Sequence, residues 1–279
     1  MATSSLDTPN VELVYDMAND VYHARKEFVS RSQAHRYRGV LGGRAQRYAE
    51  VARKSLFAGN SSTTFGTIVD TAFEAEVRGI DWRSRCAVAP PSVLAADGSR
   101  RGKAFQSWKA SLDPAAIECS ETDFGKVADM IASLREHRGA NALMEACTHS
   151  QLSVFWTNSS GHKLKARADG VTPELWFDLK TTSSEWRDLR YSFRRFGYDW
   201  QHSWYTDAAL AAGWPPFEFK FIVVQTFAPF DVKVVKLTPD AVERARIEID
   251  ETLFEMRRRA ETGEYVAESY HEEEVLDLG

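Results

Sequence analysis

The chain has 279 residues, 43% of them hydrophobic and 27% charged, and its 35 Lys and Arg stand against 40 Asp and Glu for a net charge of −5. That composition is the ordinary one of globular domains; it excludes a disordered chain, and with 16 Gly and 9 Pro it excludes collagen-like and low-complexity architectures. Net acidity excludes a basic coat over the whole surface but leaves room for a local basic groove.

Residues 1–10 are polar, lack the apolar core of a signal peptide and read as loose. A helix is expected near residues 10–20, a break at Gly42-Gly43 and a helix over 44–57. Ser61 to Thr64 offer N-cap side chains for a helix over 65–77, with apolar residues at Phe65, Ile68, Val69, Ala72 and Phe73. A short strand over 85–89 ends at Pro90-Pro91, and helices follow over 101–112 and 121–138. The pattern then changes to alternation: 151–157, 163–171 and 175–181 read as a three-stranded meander with turns at residues 158–161 and at Thr172-Pro173. Helices over 185–196 and 198–212, a hairpin over 217–227 and 232–237, and a charged amphipathic helix over 240–261 complete the pattern. The fold class expected is α/β of mixed α+β type, a central mixed sheet flanked by helices. The organisation expected is a helical extension over 1–60, a core over 61–262 and an acidic tail over 263–279.

Three widely spaced cysteines, Cys86, Cys119 and Cys147, imply neither a disulfide framework nor a zinc or iron–sulfur site, and fit a reducing, cytoplasmic setting. The longest apolar stretch, residues 221–224, is too short for a bilayer, so no membrane partner is expected. The seven histidines are scattered, and no nucleophile elbow or dinucleotide fingerprint occurs, which argues against zincins, α/β-hydrolases and dinucleotide enzymes.

The chemistry concentrates in the meander. Along a strand, side chains alternate faces. Lys163, Lys165, Arg167 and Asp169 therefore share one face, and Trp176, Asp178 and Lys180 share a face of the next strand. Pairing across Thr172-Pro173 sets Asp169 beside Asp178, with an ammonium two residues on. Two carboxylates and the Leu179 carbonyl form a hard oxygen set suited to Mg²⁺ or Mn²⁺, and Lys180 is placed to handle water and to offset transition-state charge. Read alone, the same Asp-x-Lys string also describes an exposed hairpin with weak surface ion pairs.

Asp169, with Asp178-Leu179-Lys180-Thr181-Thr182, resembles the core of the PD-(D/E)xK nuclease superfamily, and more narrowly exonuclease VIII (RecE-type) and related phage nucleases. Lys165-Ala166-Arg167-Ala168-Asp169 is similar to that family's Cys-Lys-x-Arg-x-Asp strand, and Gly197 to Tyr205 to its Gly-Tyr-x-x-Gln-x-x-x-Tyr helix, which makes Gln201 and Tyr205 supporting catalytic candidates. Two positions depart from the pattern. Asp70 stands where the family has a metal-binding His, and Gln151 where it often has Glu, while Glu74 lies one turn after Asp70 and could compensate or pair with Arg78. The implied metal ligands are Asp70, Asp169, Asp178 and the Leu179 carbonyl. The resemblance further implies Mg²⁺- or Mn²⁺-dependent digestion of linear duplex DNA from a 5′ end, a phage or prophage recombination setting, a single-strand annealing partner and a ring-like homo-oligomer. The alternatives left open are a catalytically silent DNA-binding protein on the same scaffold and an endonuclease. Candidate DNA contacts are Lys163, Lys165, Arg167, Arg100, Arg101 and Lys103, with a further arginine cluster at 187, 190, 194 and 195.

Overall fold

The computed structural model describes residues 11–38, 61–214 and 218–263; the expected helix over 44–57 and the acidic tail lie outside them. One mixed sheet organises the molecule. Its strands are β1 (Glu12–Val14), β2 (Val29–Ser30), β5 (His149–Thr157), β6 (Lys163–Val171), β7 (Leu175–Thr182), β8 (Glu218–Gln225) and β9 (Val232–Val235), in the order β1-β5-β6-β7-β8-β9 with β2 also on β6. β3 (Cys86–Val88) and β4 (Ile117–Cys119) form a separate two-stranded parallel sheet. The meander β5-β6-β7 is antiparallel, β7 and β8 run parallel, and β8-β9 is a hairpin. Among the described residues, no helix is long and apolar enough to cross a membrane.

Helices cover both faces. On one, α2 (Arg31–Arg38), α7 (Leu189–Arg195), α8 (Tyr198–Ala211) and α9 (Pro239–Thr262) close a core that includes Trp156, Trp176, Trp200, Trp204 and Phe221. On the other, α3 (Ser61–Val77), α5 (Glu121–Glu136) and α6 (Arg138–Glu145) pack Ile68, Phe73, Met130 and Leu134 on Phe177, Leu179 and Ile222. α1 (Asn19–Ala24) and α4 (Lys103–Ala110) lie at the periphery. Side-chain caps set several helix starts: Ser120 Oγ accepts from Asp123 N at 3.0 Å ahead of α5, and Thr238 with Pro239 opens α9.

The N-terminal helix expected over 10–20 is not formed. Glu12–Val14 is an edge strand on β5, and the helix begins only at Asn19. The 185–196 helix is shorter than expected, with a 3₁₀ turn over Trp186–Asp188 before α7, and the 101–112 helix starts at Lys103.

α8 is buried nearly all round, carrying Asp199, Gln201, His202 and Ser203 inside along with its tryptophans. Partners make this possible: Asp199 takes Arg194 at 3.0 Å, and Trp200 Nε1 donates to Glu248 at 2.8 Å. The helix starts at Gly197, whose φ of 65° lies in the left-handed region and whose absent Cβ leaves room for the His35 ring.

His202 has no hydrogen bond to Nδ1 and lies against Phe219 and Phe221. Burial lowers its pKa to about 4, and the nearby Lys236 and Arg246 push the same way. The unfolded chain takes up this proton near pH 6.5 and the folded chain only near 4, so acid favours unfolding across that window. Stability is expected to be fully present above about pH 6.5 and to fall by about 3 kcal/mol as pH drops to about 4. Denaturant titrations of wild type and His202→Gln across that range check this; equal pH slopes would exclude His202 as the cause.

Candidate active site

The site lies where the sheet forks. One edge of β6 is shared: β2 pairs with it at Leu164 and Lys165, and β7 at Gly170 and Val171. Between these rungs the backbone needs other partners. α8 and β6 itself supply them. Trp204 Nε1 donates to the Lys165 carbonyl at 3.0 Å, Tyr205 Oη donates to the Arg167 carbonyl at 2.6 Å, and the Asp169 carboxylate accepts from Leu179 N at 2.9 Å. The break in the ladder lies at Asp169, which lines a cleft, while Asp178 stays buried behind it.

Opposite Asp169, the β5–β6 pairing skips Gln151, which takes a φ of 54°. A left-handed conformation is uncommon for a residue with a side chain and often accompanies function. It brings the Gln151 amide within 3.4 Å of Asp169 Oδ1.

Asp178 is 2% exposed. Gln201 Nε2 donates to its Oδ1 at 2.7 Å, and Arg31 Nη2 donates to Gln201 Oε1 at 3.3 Å, making a chain from α2 through α8 to β7. Oδ2 faces the Lys180 ammonium in an ion pair yet accepts no hydrogen bond of normal geometry. Lys180 also lies over the Tyr198 ring at 5.1 Å. Burial alone would favour a neutral amine, but Asp178, Tyr198 and Asp169 outweigh it and raise the lysine's pKa. Lys180 is therefore a cation here.

Asp70, on α3, stands inside a cleft of about 630 Å³ that also exposes Glu74, Gln151, Arg167 and Asp169. It is open to solvent along the cleft yet enclosed by protein around it. That enclosure, with Asp178 and Glu74 pushing the same way and Lys180 opposing, raises its pKa to about 7. Asp169 is raised too, by burial first and then by Asp178 and Asp70. Three carboxyls thus stand about the Lys180 ammonium, with Arg167 on the Asp169 side of the cleft.

Among the described residues, no group of three or more His, Cys, Asp or Glu side chains is gathered closely enough to hold a metal ion as it stands. The donor chemistry nevertheless suits a hard divalent cation. Asp178 Oδ2 is buried without a hydrogen bond, Asp169 Oδ1 has only the long Gln151 contact, and Asp70 faces open space.

Other expected residues are distributed less simply. Lys165 is not a surface cation: it is 4% exposed, and its ammonium donates to the carbonyls of Tyr22 and Arg25 at 2.9 and 2.8 Å, capping the end of α1. Arg167 lines the cleft, donates to Asn19 at 3.1 Å and stacks over Tyr22 at 4.0 Å, whereas Lys163 is exposed at the start of β6. Arg100 and Arg101 pair with Glu118 and Asp97 near the small sheet, and Lys103 is exposed at the start of α4. Tyr205 bonds the Arg167 backbone and so positions β6. Glu74 both lines the cleft and pairs with Arg78 at 3.0 Å, and Arg78 also takes Asp16 at 2.8 Å and Ser150 Oγ at 2.6 Å. Sequence reasoning missed Arg31. Its only local signal is the capping box Ser30-x-x-Gln33, in which Ser30 N donates to Gln33 Oε1 at 2.8 Å; this fixes the start of α2 but does not point to α8.

A central mixed sheet with helices on both faces is the architecture of PD-(D/E)xK proteins. Residues 36–266 match the family model described as PDDEXK-like domain of unknown function (DUF3799), and the chain belongs to that family. Among solved structures, the fold is similar to a protein from Eubacterium rectale, provisionally described as an exonuclease. The TM-score is 0.62 at 16% identity, over 95% of this chain and 96% of the other. A comparison with curated proteins finds no match.

Proposed function

We propose that this protein is a divalent-metal-dependent DNA exonuclease acting on the ends of linear duplex. The observation that carries the reading is the gathering of Asp70, Asp169 and the Asp178–Lys180 ion pair at the fork of the sheet, where the Asp169 carboxylate accepts from Leu179 N. Asp70, Asp169, Asp178 and the Leu179 carbonyl would hold Mg²⁺ or Mn²⁺. Such an ion, when bound, polarises the phosphodiester and acidifies water. The protein's own groups do the rest. Lys180, held cationic, stabilises charge developing on the phosphate. Gln201 fixes the Asp178 carboxylate and is itself held by Arg31. Arg167, at the cleft wall, faces an incoming phosphate, and Tyr205 holds its strand in place.

The family resemblance supports the finer proposals: digestion from a 5′ end, a phage-type recombination role in the cytoplasm, an annealing-protein partner, a ring-like oligomer and a core spanning 61–262. Incubating the protein with linear duplex and Mg²⁺ or Mn²⁺ tests the reading. Mononucleotide release from linear DNA is expected, with none from a closed circle. Nicking of the circle would make it an endonuclease. Intact DNA with tight, salt-sensitive binding would make it a silent binder, an outcome the uncharged Gln151 beside Asp169 would explain.

A further inference from the structure

The segment 187–196 carries four arginines and one aspartate in a protein of net charge −5. Its inner face is fixed: Phe193 packs edge-on to Tyr198 and Phe221 at 5.0 and 5.2 Å, and Ser192 Oγ shares a 2.7 Å hydrogen bond with Ser184 Oγ. Its outward side chains include two aromatic rings. Tyr191, at 68%, is the most exposed large apolar side chain among the described residues, and Phe196 is 50% exposed. Arg194 turns away, pairing with Asp199 and Glu248 to dock α7 on α8 and α9. Arg190 and Arg195 have no carboxylate partner among the described residues, and the Arg195 guanidinium lies 5.6 Å from the Phe196 ring.

The Phe196 end of this segment adjoins the catalytic candidates. The Phe196 ring lies 5.9 Å from that of Tyr198, over which Lys180 sits at 5.1 Å, and Arg31 donates to the Phe196 carbonyl at 3.0 Å as well as to Gln201. Unpaired cations beside water-exposed aromatic faces are the two elements that bind an unpaired strand: guanidinium groups follow phosphates and rings accept bases of any sequence. In a paired duplex the base faces are already stacked, so rings of this kind gain little from it.

We infer that the outer face of α7 and Phe196 binds single-stranded DNA, guiding the strand that leaves or enters the cleft, with bases stacking on Tyr191 and Phe196 and phosphates meeting Arg190 and Arg195. This rests on the nuclease reading for its role, though not for its binding. The test is fluorescence anisotropy of labelled oligothymidine and of a blunt duplex in EDTA, with wild type and four variants. Tyr191→Ala/Phe196→Ala is expected to bind the single strand roughly tenfold more weakly or worse while changing blunt-duplex binding little. Tyr191→Phe should bind as wild type does. Arg190→Ala/Arg195→Ala should flatten the slope of log K against log salt by roughly 0.7 for each phosphate no longer neutralised. Tyr191→Ala alone carries the test if loss of Phe196 unsettles α7. Unchanged single-strand affinity in the aromatic variants, or equal losses on both substrates, overturns the inference. Cleavage of linear duplex with unchanged single-strand binding leaves the nuclease reading intact and removes only this surface. The expected binding pattern in a protein that cleaves nothing removes only the nuclease reading.

Discussion

Replacing Lys180 by methionine is expected to lower DNA cleavage by roughly 10³-fold while leaving divalent-cation binding in place. Methionine conserves much of the volume against Tyr198, so the packing loss is small. The loss falls on charge. The ammonium is the cation paired with Asp178 and it also counters Asp70 and Asp169. Its removal takes away the positive end that would face the phosphate, but none of the oxygen donors. Without it Asp70 and Asp169 hold their protons to higher pH, so Mn²⁺ binding by the variant should fall off at higher pH than in wild type. Asp178→Asn should behave differently. It keeps the shape, removes the charge that pairs with Lys180, and should lose both cleavage and most of the calorimetric Mn²⁺ signal. If Lys180→Met abolished the Mn²⁺ signal at every pH, or cleaved at wild-type rate, the assignment of the lysine to transition-state charge would fail.

How much of the molecule is legible in the sequence follows from how local the physics is. In the meander, alternation and a short turn at Thr172-Pro173 leave one register, and that register aligns the backbone positions of Asp169 and Asp178. The i, i+4 spacing of Gln201 and Tyr205 puts both on one side of α8, and the structure aims that side at β6 and β7. The fork is not legible. Nothing in residues 163–171 shows that β2 takes half of one edge and β7 the other half, because that depends on a two-residue strand more than 130 positions away. Lys165 departs from expectation for the same reason: alternation assigns its face correctly, but whether that face meets water or α1 is decided by the packing of Tyr22. β1 reads as helix by pattern because three residues cannot establish a period, and its strand character comes from the edge of β5. Arg31 reaches Gln201 across 170 positions, a contact no local pattern encodes.

Gly170→Ala is the substitution expected to harm the fold most. Gly170 and Phe177 form the first rung of β6–β7 after the fork, directly opposite each other. A Cβ on Gly170 would lie 2.0 Å from Cζ of Phe177 and within 2.6 Å of both Cε atoms. The tip of the ring lies over the glycine and is confined: Phe177 is fully buried, with Phe73 edge-on at 6.3 Å and 88°. Relief requires either the ring to leave its place in the core or the two strands to part. Overpacking a well-filled interior costs typically 1–3 kcal/mol, and a contact this short on a ring so confined should reach about 3 kcal/mol or more. Parting the strands would also withdraw Asp169 from Leu179 N, so residual cleavage should fall in whatever fraction stays folded. Denaturant unfolding of Gly170→Ala, Phe177→Leu and the double variant gives the coupling. The smaller, flexible leucine should recover part of the loss, making the double variant more stable than the sum of the singles predicts. A Gly170→Ala protein within about 0.5 kcal/mol of wild type would mean that the ring does not lie over the glycine and that this rung does not set the spacing of the two acidic strands.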